Sequence, residues 1–255
     1  MTVPTALLLM LTAAFDPTLF QDANRDYADG DYAAAAERYE RIIAGGVDHP
    51  VVFYNLANAY YRQGRIGAAI ANYERALRIN PGMESAQHNL AQAVARTDRR
   101  LPRPAAPRWE RILLFWHQSL SPGFAWTGAL TAWCLFWAAL ALRAWRPLPH
   151  IATIAAICAL VALALGLSAW TKSQPSRLAV AAAERVSAHY GTSETETVRF
   201  ELHEGDRVLI DQQEGDWVRV MLENGDRGWV RRDGLVLVGP PYTPPATQTP
   251  SETTP

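Results

Sequence analysis

The sequence predicts a multi-domain protein in which an α-helical repeat array, a two-helix transmembrane hairpin and a small all-β barrel follow one another along the chain. Three observations support this fold class. An alanine- and tyrosine-rich region with helical periodicity repeats itself, two long apolar runs carry no formal charge, and the region after them alternates apolar and polar residues with period two. By length alone, 255 residues would allow one or two domains.

Composition excludes some classes of function. The formal net charge of -1 gives no overall basic field, so we expect no nucleic-acid partner. Both cysteines, Cys134 and Cys158, lie inside apolar runs. The parts predicted to be soluble therefore contain no cysteine, which fits an oxidising compartment without a disulfide framework.

Residues 1–14 are interpreted as a signal peptide or a hydrophobic N-terminal segment. The apolar run from Thr5 to Phe15 is too short to span a bilayer, and Thr12 and Ala14 are small residues of the kind that precede a signal-peptidase cut. The segment has no lysine or arginine before its apolar run. The alternative is a first helix that packs on the next one.

Residues 15–96 are predicted to form two repeats and a capping helix. The clearest unit runs from Pro50 to Pro81 and matches the 34-residue tetratricopeptide pattern at Phe53, Leu56, Ala57, Tyr60, Gly64, Ala69, Tyr73 and Ala76. Small residues let the two helices of a unit approach closely, and Gly64 permits the turn between them. A shift of 34 residues back gives an earlier unit with Ala23, Gly30, Ala35 and Tyr39. A shift forward gives only one helix, residues 83–96, as expected for a cap.

Residues 97–122 are predicted to be an Arg/Pro-rich linker followed by an interfacial helix, because Trp109, Ile112, Leu113, Trp116 and Leu120 share one helical face. Residues 123–142 and 151–171 are predicted transmembrane helices, since about 20 residues at 1.5 Å each cover the ~30 Å hydrocarbon core. The short connector between them allows only a tight hairpin. Both soluble domains must then lie on the same side of the membrane.

Charge does not settle which side that is. Arg143 and Arg146 in the connector favour a cytoplasmic loop, whereas the outer flanks carry more arginine and lysine and favour the opposite. A signal peptide would commit the N-terminal domain to export before the hairpin emerges. We therefore expect both soluble domains to lie outside the cytoplasm.

Residues 178–238 are predicted to form a small barrel of short strands, with turns at 204–206 and 214–216 and a hairpin at Asn224-Gly225. The segment Leu202–Leu235 resembles bacterial SH3 domains, through His203-Glu204-Gly205, the step that begins at Gly215, and Gly228-Trp229-Val230. The resemblance implies an SH3-like groove at Tyr190, Trp217 and Trp229, with one tryptophan buried and the other partly exposed. Aromatic grooves suit extended peptides or cell-wall stem peptides. Residues 239–255 are a Pro/Thr-rich tail that we expect to be disordered.

The repeats also carry candidate binding residues. In tetratricopeptide arrays the first helix of each unit lines the concave surface, and the resemblance implies that asparagines there grip the backbone of an extended peptide. The corresponding residues are Asn24, Asn55, Asn58 and Asn89, with Tyr61 and Arg62 in the same groove. Phe20, Tyr54 and Ser85 stand where lysines would hold a free C-terminus, so an internal or apolar segment is the expected ligand. The alternative is that asparagine is simply common in this consensus.

No catalytic constellation is found in the sequence. The six histidines are scattered without ligand spacing, and there is no nucleophile elbow and no phosphate-binding loop. We therefore expect no enzyme activity, no metal and no cofactor.

The order of modules resembles the Bacteroides aerotolerance E (BatE) family over nearly the whole chain. The resemblance implies a bacterial inner-membrane protein with periplasmic soluble domains. It also implies partners among von Willebrand factor A-domain membrane proteins and a MoxR-type ATPase system, in envelope stress tolerance or complex assembly. Two functions stay open at this point. One is a scaffold that holds a partner protein at the membrane, and the other is a peptidoglycan- or peptide-binding sensor that acts through the SH3-like domain.

Overall fold

The computed structural model describes residues 16–100, 104, 115–146, 149–174 and 176–239. The predicted signal segment at 1–14, nearly all of the linker between 101 and 114, and the tail from 240 lie outside the described residues. The chain divides into two compact units. The first unit contains five helices from the N-terminal part of the chain and a β-sheet from its C-terminal part. The second unit contains the helices that lie between these two parts in sequence.

Five helices form the array in the first unit: α1 (Pro17–Ala28), α2 (Tyr32–Ala44), α3 (Pro50–Arg62), α4 (Ile66–Ile79) and α5 (Glu84–Ala95). Helices α1 and α2 begin at local caps, since the Asp16 carboxylate accepts from the amides of Thr18 and Leu19, and Asp31 accepts from Ala34. Gly30 and Gly64 have φ values of 87° and 82° at equivalent turns. The five helices therefore form two helix–turn–helix units and a terminal helix.

Small and aromatic residues pack between these helices. Ala23, Ala35, Ala57 and Ala69 are fully buried where helices meet. Tyr39, Tyr60 and Tyr73 are also buried, and they fill the space between those contacts. Small and aromatic residues therefore alternate through the core of the array as the repeat pattern requires.

Seven antiparallel strands form one sheet in the order β3-β2-β6-β5-β4-β1-β7. They are β1 (Leu178–Ala181), β2 (Arg185–His189), β3 (Val198–His203), β4 (Arg207–Glu214), β5 (Trp217–Met221), β6 (Arg227–Arg231) and β7 (Leu235–Leu237), with a 3-10 turn at Arg232–Gly234. Gly205, Gly215 and Gly225 have positive φ at the predicted turns. One core lies inside the curved sheet, and it includes Val208, Val218, Val220 and Val230.

The predicted closed barrel is not formed. Within the described residues the two edge strands, β3 and β7, do not pair with each other, so the sheet stays open. The physical reason is that both edges have other partners. Arg99 donates to the carbonyl of Glu201 on β3, and Arg75 donates to the carbonyl of Leu237 on β7.

The second unit contains α6 (Phe115–Ser119), α7 (Pro122–Trp145) and α8 (Pro149–Ser173). Within the described residues, α7 and α8 are the two helices that are long and apolar enough to cross a membrane, with mean hydropathy of 1.5 and 2.5. Small side chains are buried on both, including Ala125, Ala129 and Ala132 on α7. A ring nitrogen of His117 lies 2.7 Å from the Ser168 hydroxyl, which ties α6 to α8.

Candidate functional site

The four asparagines singled out in the sequence lie at two equivalent positions of the array. The Asn24 side-chain oxygen accepts from the Tyr39 hydroxyl at 2.6 Å and from the Asn55 amide at 3.1 Å. One repeat later, Asn58 accepts from Tyr73 at 2.6 Å and from Asn89 at 2.9 Å. We call these two sets of three residues the amide–tyrosine ladder.

Burial explains why the ladder needs its asparagines. The Tyr39 and Tyr73 rings are almost inaccessible, and an unpaired buried hydroxyl would be costly. Burial raises the pKa of Tyr39 to about 12 and raises the pKa of Tyr73 as well. Both hydroxyls therefore stay protonated at neutral pH and donate to the asparagine oxygens.

The ladder leaves part of each amide group for a ligand. Within the described residues, the side-chain nitrogens of Asn24 and Asn58 and the side-chain oxygens of Asn55 and Asn89 make no hydrogen bond. A small open pocket of about 100 Å³ lies beside them, lined by Asn24, Tyr27, Tyr39, Asn55 and Asn58. Donors and acceptors thus alternate along the groove, as a peptide backbone would require.

Aromatic rings and arginines border this groove. The Arg62 guanidinium lies 4.8 Å from the centroid of the Tyr32 ring, and Arg96 lies 4.3 Å from that of Tyr61. Tyr61 and Arg62 are therefore each engaged with a neighbour and do not line the pocket beside Asn24. Sequence reasoning missed Tyr27 and the ladder tyrosines as site residues. The signal was present, because Tyr27/Tyr61 and Tyr39/Tyr73 recur at the repeat spacing.

Two of the three aromatic residues predicted for the sheet, Trp217 and Trp229, meet at His189, and Tyr190 follows His189 in the chain. Tyr190 is 62% exposed. Trp217 and Trp229 are both half-buried, instead of one buried and one partly exposed. The His189 ring lies 5.7 Å from Trp217, and His189 is the register partner of Trp229. Together they form an aromatic patch, defined as Tyr190, Trp217, Trp229 and His189.

Charged groups hold one side of this patch in place. The Arg219 guanidinium lies 5.9 Å from the Trp229 centroid and donates two hydrogen bonds to Asp211, at 2.8 and 2.9 Å. These hydrogen bonds lower the pKa of the Asp211 carboxyl, since they favour its charged form. In the part of the chain that the structure describes, no group of three or more His, Cys, Asp or Glu residues could hold a metal ion.

Comparison with known proteins identifies one module. The family model described as Tetratricopeptide repeat matches residues 50–83, which cover α3, α4 and the turn after them. No curated protein matches the chain. The geometry of the two helix pairs agrees with the match, since α1–α2 repeats the turns and ladder of α3–α4. The chain therefore contains a tetratricopeptide repeat, the kind of module that suggests a protein–protein interaction scaffold.

Proposed function

We propose that the protein is a membrane-anchored interaction scaffold of the bacterial envelope, and that its repeat groove binds an extended segment of a partner protein. The observation that carries this proposal is the set of amide groups left beside the ladder. They offer donors at Asn24 and Asn58 and acceptors at Asn55 and Asn89. An extended peptide presents the complementary carbonyl and N–H groups.

The ligand of this proposal is an internal or apolar segment. Phe20 and Tyr54 stand on α1 and α3 where lysines would otherwise hold a free carboxylate, and Tyr54 bonds to Asn89 at 3.1 Å. Aromatic rings on both sides of the amides favour apolar side chains. The groove therefore binds a chain segment and not a chain terminus.

In this proposal α7 and α8 anchor the scaffold in the inner membrane, with the soluble part in the periplasm. The support is the resemblance to the Bacteroides aerotolerance E family, together with two helices of sufficient length and apolarity. Partners would then be von Willebrand factor A-domain membrane proteins or components of a MoxR-type ATPase system, and the chain itself would catalyse no reaction. A phosphatase fused after Pro240 should be active, whereas fluorescence of a reporter that matures only in the cytoplasm would contradict this orientation.

The groove is tested by affinity capture from solubilised membranes. Tyr27→Ala changes the lining of the pocket without removing a ladder residue, and should reduce recovery of the captured partner at least ~10-fold. Arg41→Glu on the exposed face of α2 is the matched control and should leave recovery unchanged. Equal recovery of the partner with both variants would contradict binding in the groove.

The aromatic patch supports a second candidate function. The patch combines the largely exposed Tyr190 with two half-buried tryptophans, which suits stacking against a sugar or a stem peptide of the cell wall. Purified sacculi should then retain the full chain in detergent and lose it on Tyr190→Ala. The scaffold proposal alone predicts no retention, so this measurement separates the two functions.

A further inference from the structure

Helix α4 is buried on all sides along most of its length. Every residue from 67 to 76 is inaccessible, and this includes three polar ones. Asn72, Glu74 and Arg75 are exposed by 0%, 2% and 2%. A helix at the outside of a repeat array normally keeps its outer face polar and hydrated. Something other than the array must therefore cover this face.

The cover is the C-terminal sheet, which belongs to the same compact unit. Arg207 at the start of β4 pairs with Glu74 at 3.1 Å, and both side chains are buried. Arg75 donates to Asn72 at 2.7 Å and to the carbonyl of Leu237 on β7. Breaking a buried ion pair by removing one partner is strongly destabilising, so this contact holds the helix and the sheet together.

The start of α4 is capped by the same sheet. The Glu204 carboxylate, in the turn before β4, accepts from the backbone amide of Gly67 at 2.8 Å. A side chain at Gly67 would collide with the carbonyl of Ala181, and one at Gly205 would collide with Thr97 and Ile70. Helix and sheet thus approach backbone to backbone, which requires glycine on each side.

A third contact closes the opposite edge. Arg99, after α5, lies 3.3 Å from the buried carboxylate of Asp206 and donates to the carbonyl of Glu201 at 3.1 Å. The same Asp206 carboxylate accepts from the amide of His203. Contacts from α4 and from the segment after α5 therefore reach both edge strands of the sheet.

We propose that the C-terminal sheet is the fixed partner of the outer face of α4, so that residues 16–77, 83–100 and 176–239 form one cooperative soluble body. This body is assembled from chain on both sides of α7–α8. Its two parts must therefore share one compartment, whichever compartment that is. The outer face of α4 is closed to other proteins, and partners are left with the groove and the exposed surface of the sheet.

The test is hydrogen exchange of the full chain in detergent, measured by mass spectrometry. Arg207→Glu places two carboxylates together, and should speed amide exchange in peptides of α4 by roughly 100-fold, although α4 lies far away in sequence. Arg227→Glu is the matched control, because Arg227 is an exposed arginine of the same sheet that pairs with Asp211. It should leave α4 unchanged.

The reciprocal variant excludes simple misfolding of the sheet as the cause of faster exchange in α4. Glu74→Gln should speed exchange in β4 peptides, and combining Glu74→Arg with Arg207→Glu should restore much of the protection in both regions. Faster exchange on the side opposite each substitution supports the proposal. If each single variant changes exchange only in its own part of the chain, the two parts are independent and the proposal fails.

Discussion

Helices α2 and α4 occupy the same place in successive repeats but have different surroundings. Both contribute the tyrosine of an amide–tyrosine ladder, at 39 and 73. Their outer faces differ in exposure at three pairs of equivalent residues: Ala33 and Gly67, Glu37 and Ala71, Arg41 and Arg75. The first member of each pair is exposed and the second is buried. The outer face of this helix is therefore exposed to solvent in the first repeat and covered by the β-sheet in the second.

The difference shows which substitutions mark a covered helix face. Glycine at 67 and alanine at 71 remove bulk and charge where the sheet approaches. Arginine is kept at both 41 and 75, so residue type alone does not distinguish them. What distinguishes them is the partner, since Arg75 bonds to Asn72 and to the carbonyl of Leu237.

The largest expected difference between the helices concerns these two arginines. Arg75→Ala removes a buried guanidinium from its acceptors and leaves a cavity, so it should lower the free energy of unfolding by about 3 kcal/mol. Arg41→Ala is exposed and should change it by less than about 0.5 kcal/mol. Urea denaturation of the full chain in micelles, followed by circular dichroism, measures both. Similar losses would mean that the sheet does not cover α4.

A second comparison concerns whether a substitution stabilises or destabilises the chain. Helix propensity alone predicts that Gly67→Ala stabilises the chain and Ala33→Gly destabilises it, each by about 1 kcal/mol. Contact with the Ala181 carbonyl reverses the first prediction, and we expect Gly67→Ala to cost about 1–3 kcal/mol. Ala33→Gly, on an exposed face, should follow propensity. A gain in melting temperature for Gly67→Ala would contradict the close approach.

The smallest expected effect concerns the helix starts. Asp31 caps α2 locally, whereas Glu204 reaches α4 from the sheet. Burial raises the pKa of Glu204 above 4.5, against the opposing effect of the Gly67 and Ile66 amides. The stability that Glu204 contributes is therefore complete below its ordinary pKa, and is lost as pH rises through the raised value. Glu204→Gln should flatten this dependence in melting temperatures measured from about pH 4 to 8.

Asp211→Asn is the control, because the Asp211 carboxyl contributes stability with the opposite dependence on pH. The pKa of Asp211 is lowered by its hydrogen bonds to Arg219, so its contribution is present above 3.8 and is lost as pH falls. The two carboxyls lie on the same sheet but should bend the pH profile in opposite directions. Parallel profiles for the two variants would show that the environment of Glu204 is not set by α4.

Local patterns in the sequence predicted most of the helical array. Ala57, Ala69 and Gly64 were identified from spacing, because each meets a neighbour within its own repeat. A departure from the pattern also has a local explanation. Asp26 stands where a tyrosine would be usual, and it pairs with Arg38 at 2.5 Å.

Features that depend on distant partners were not predictable from periodicity. The open sheet is one, since its edge carbonyls at 201 and 237 accept from arginines more than 100 residues away. The amide–tyrosine ladder was predictable only in part. Its asparagines were selected for peptide binding from the resemblance, but their bonds to Tyr39 and Tyr73 require knowing that those hydroxyls are buried.

The separation of Glu74 and Arg207 along the chain has a consequence for biosynthesis. The two residues are 133 positions apart. At roughly 5–20 residues per second, a ribosome adds Arg207 on the order of ten seconds after Glu74. During that interval the outer face of α4 has no cover, and two apolar helices must be made before the cover arrives. Burial of this helix face therefore has to wait until the C-terminal sheet has been made.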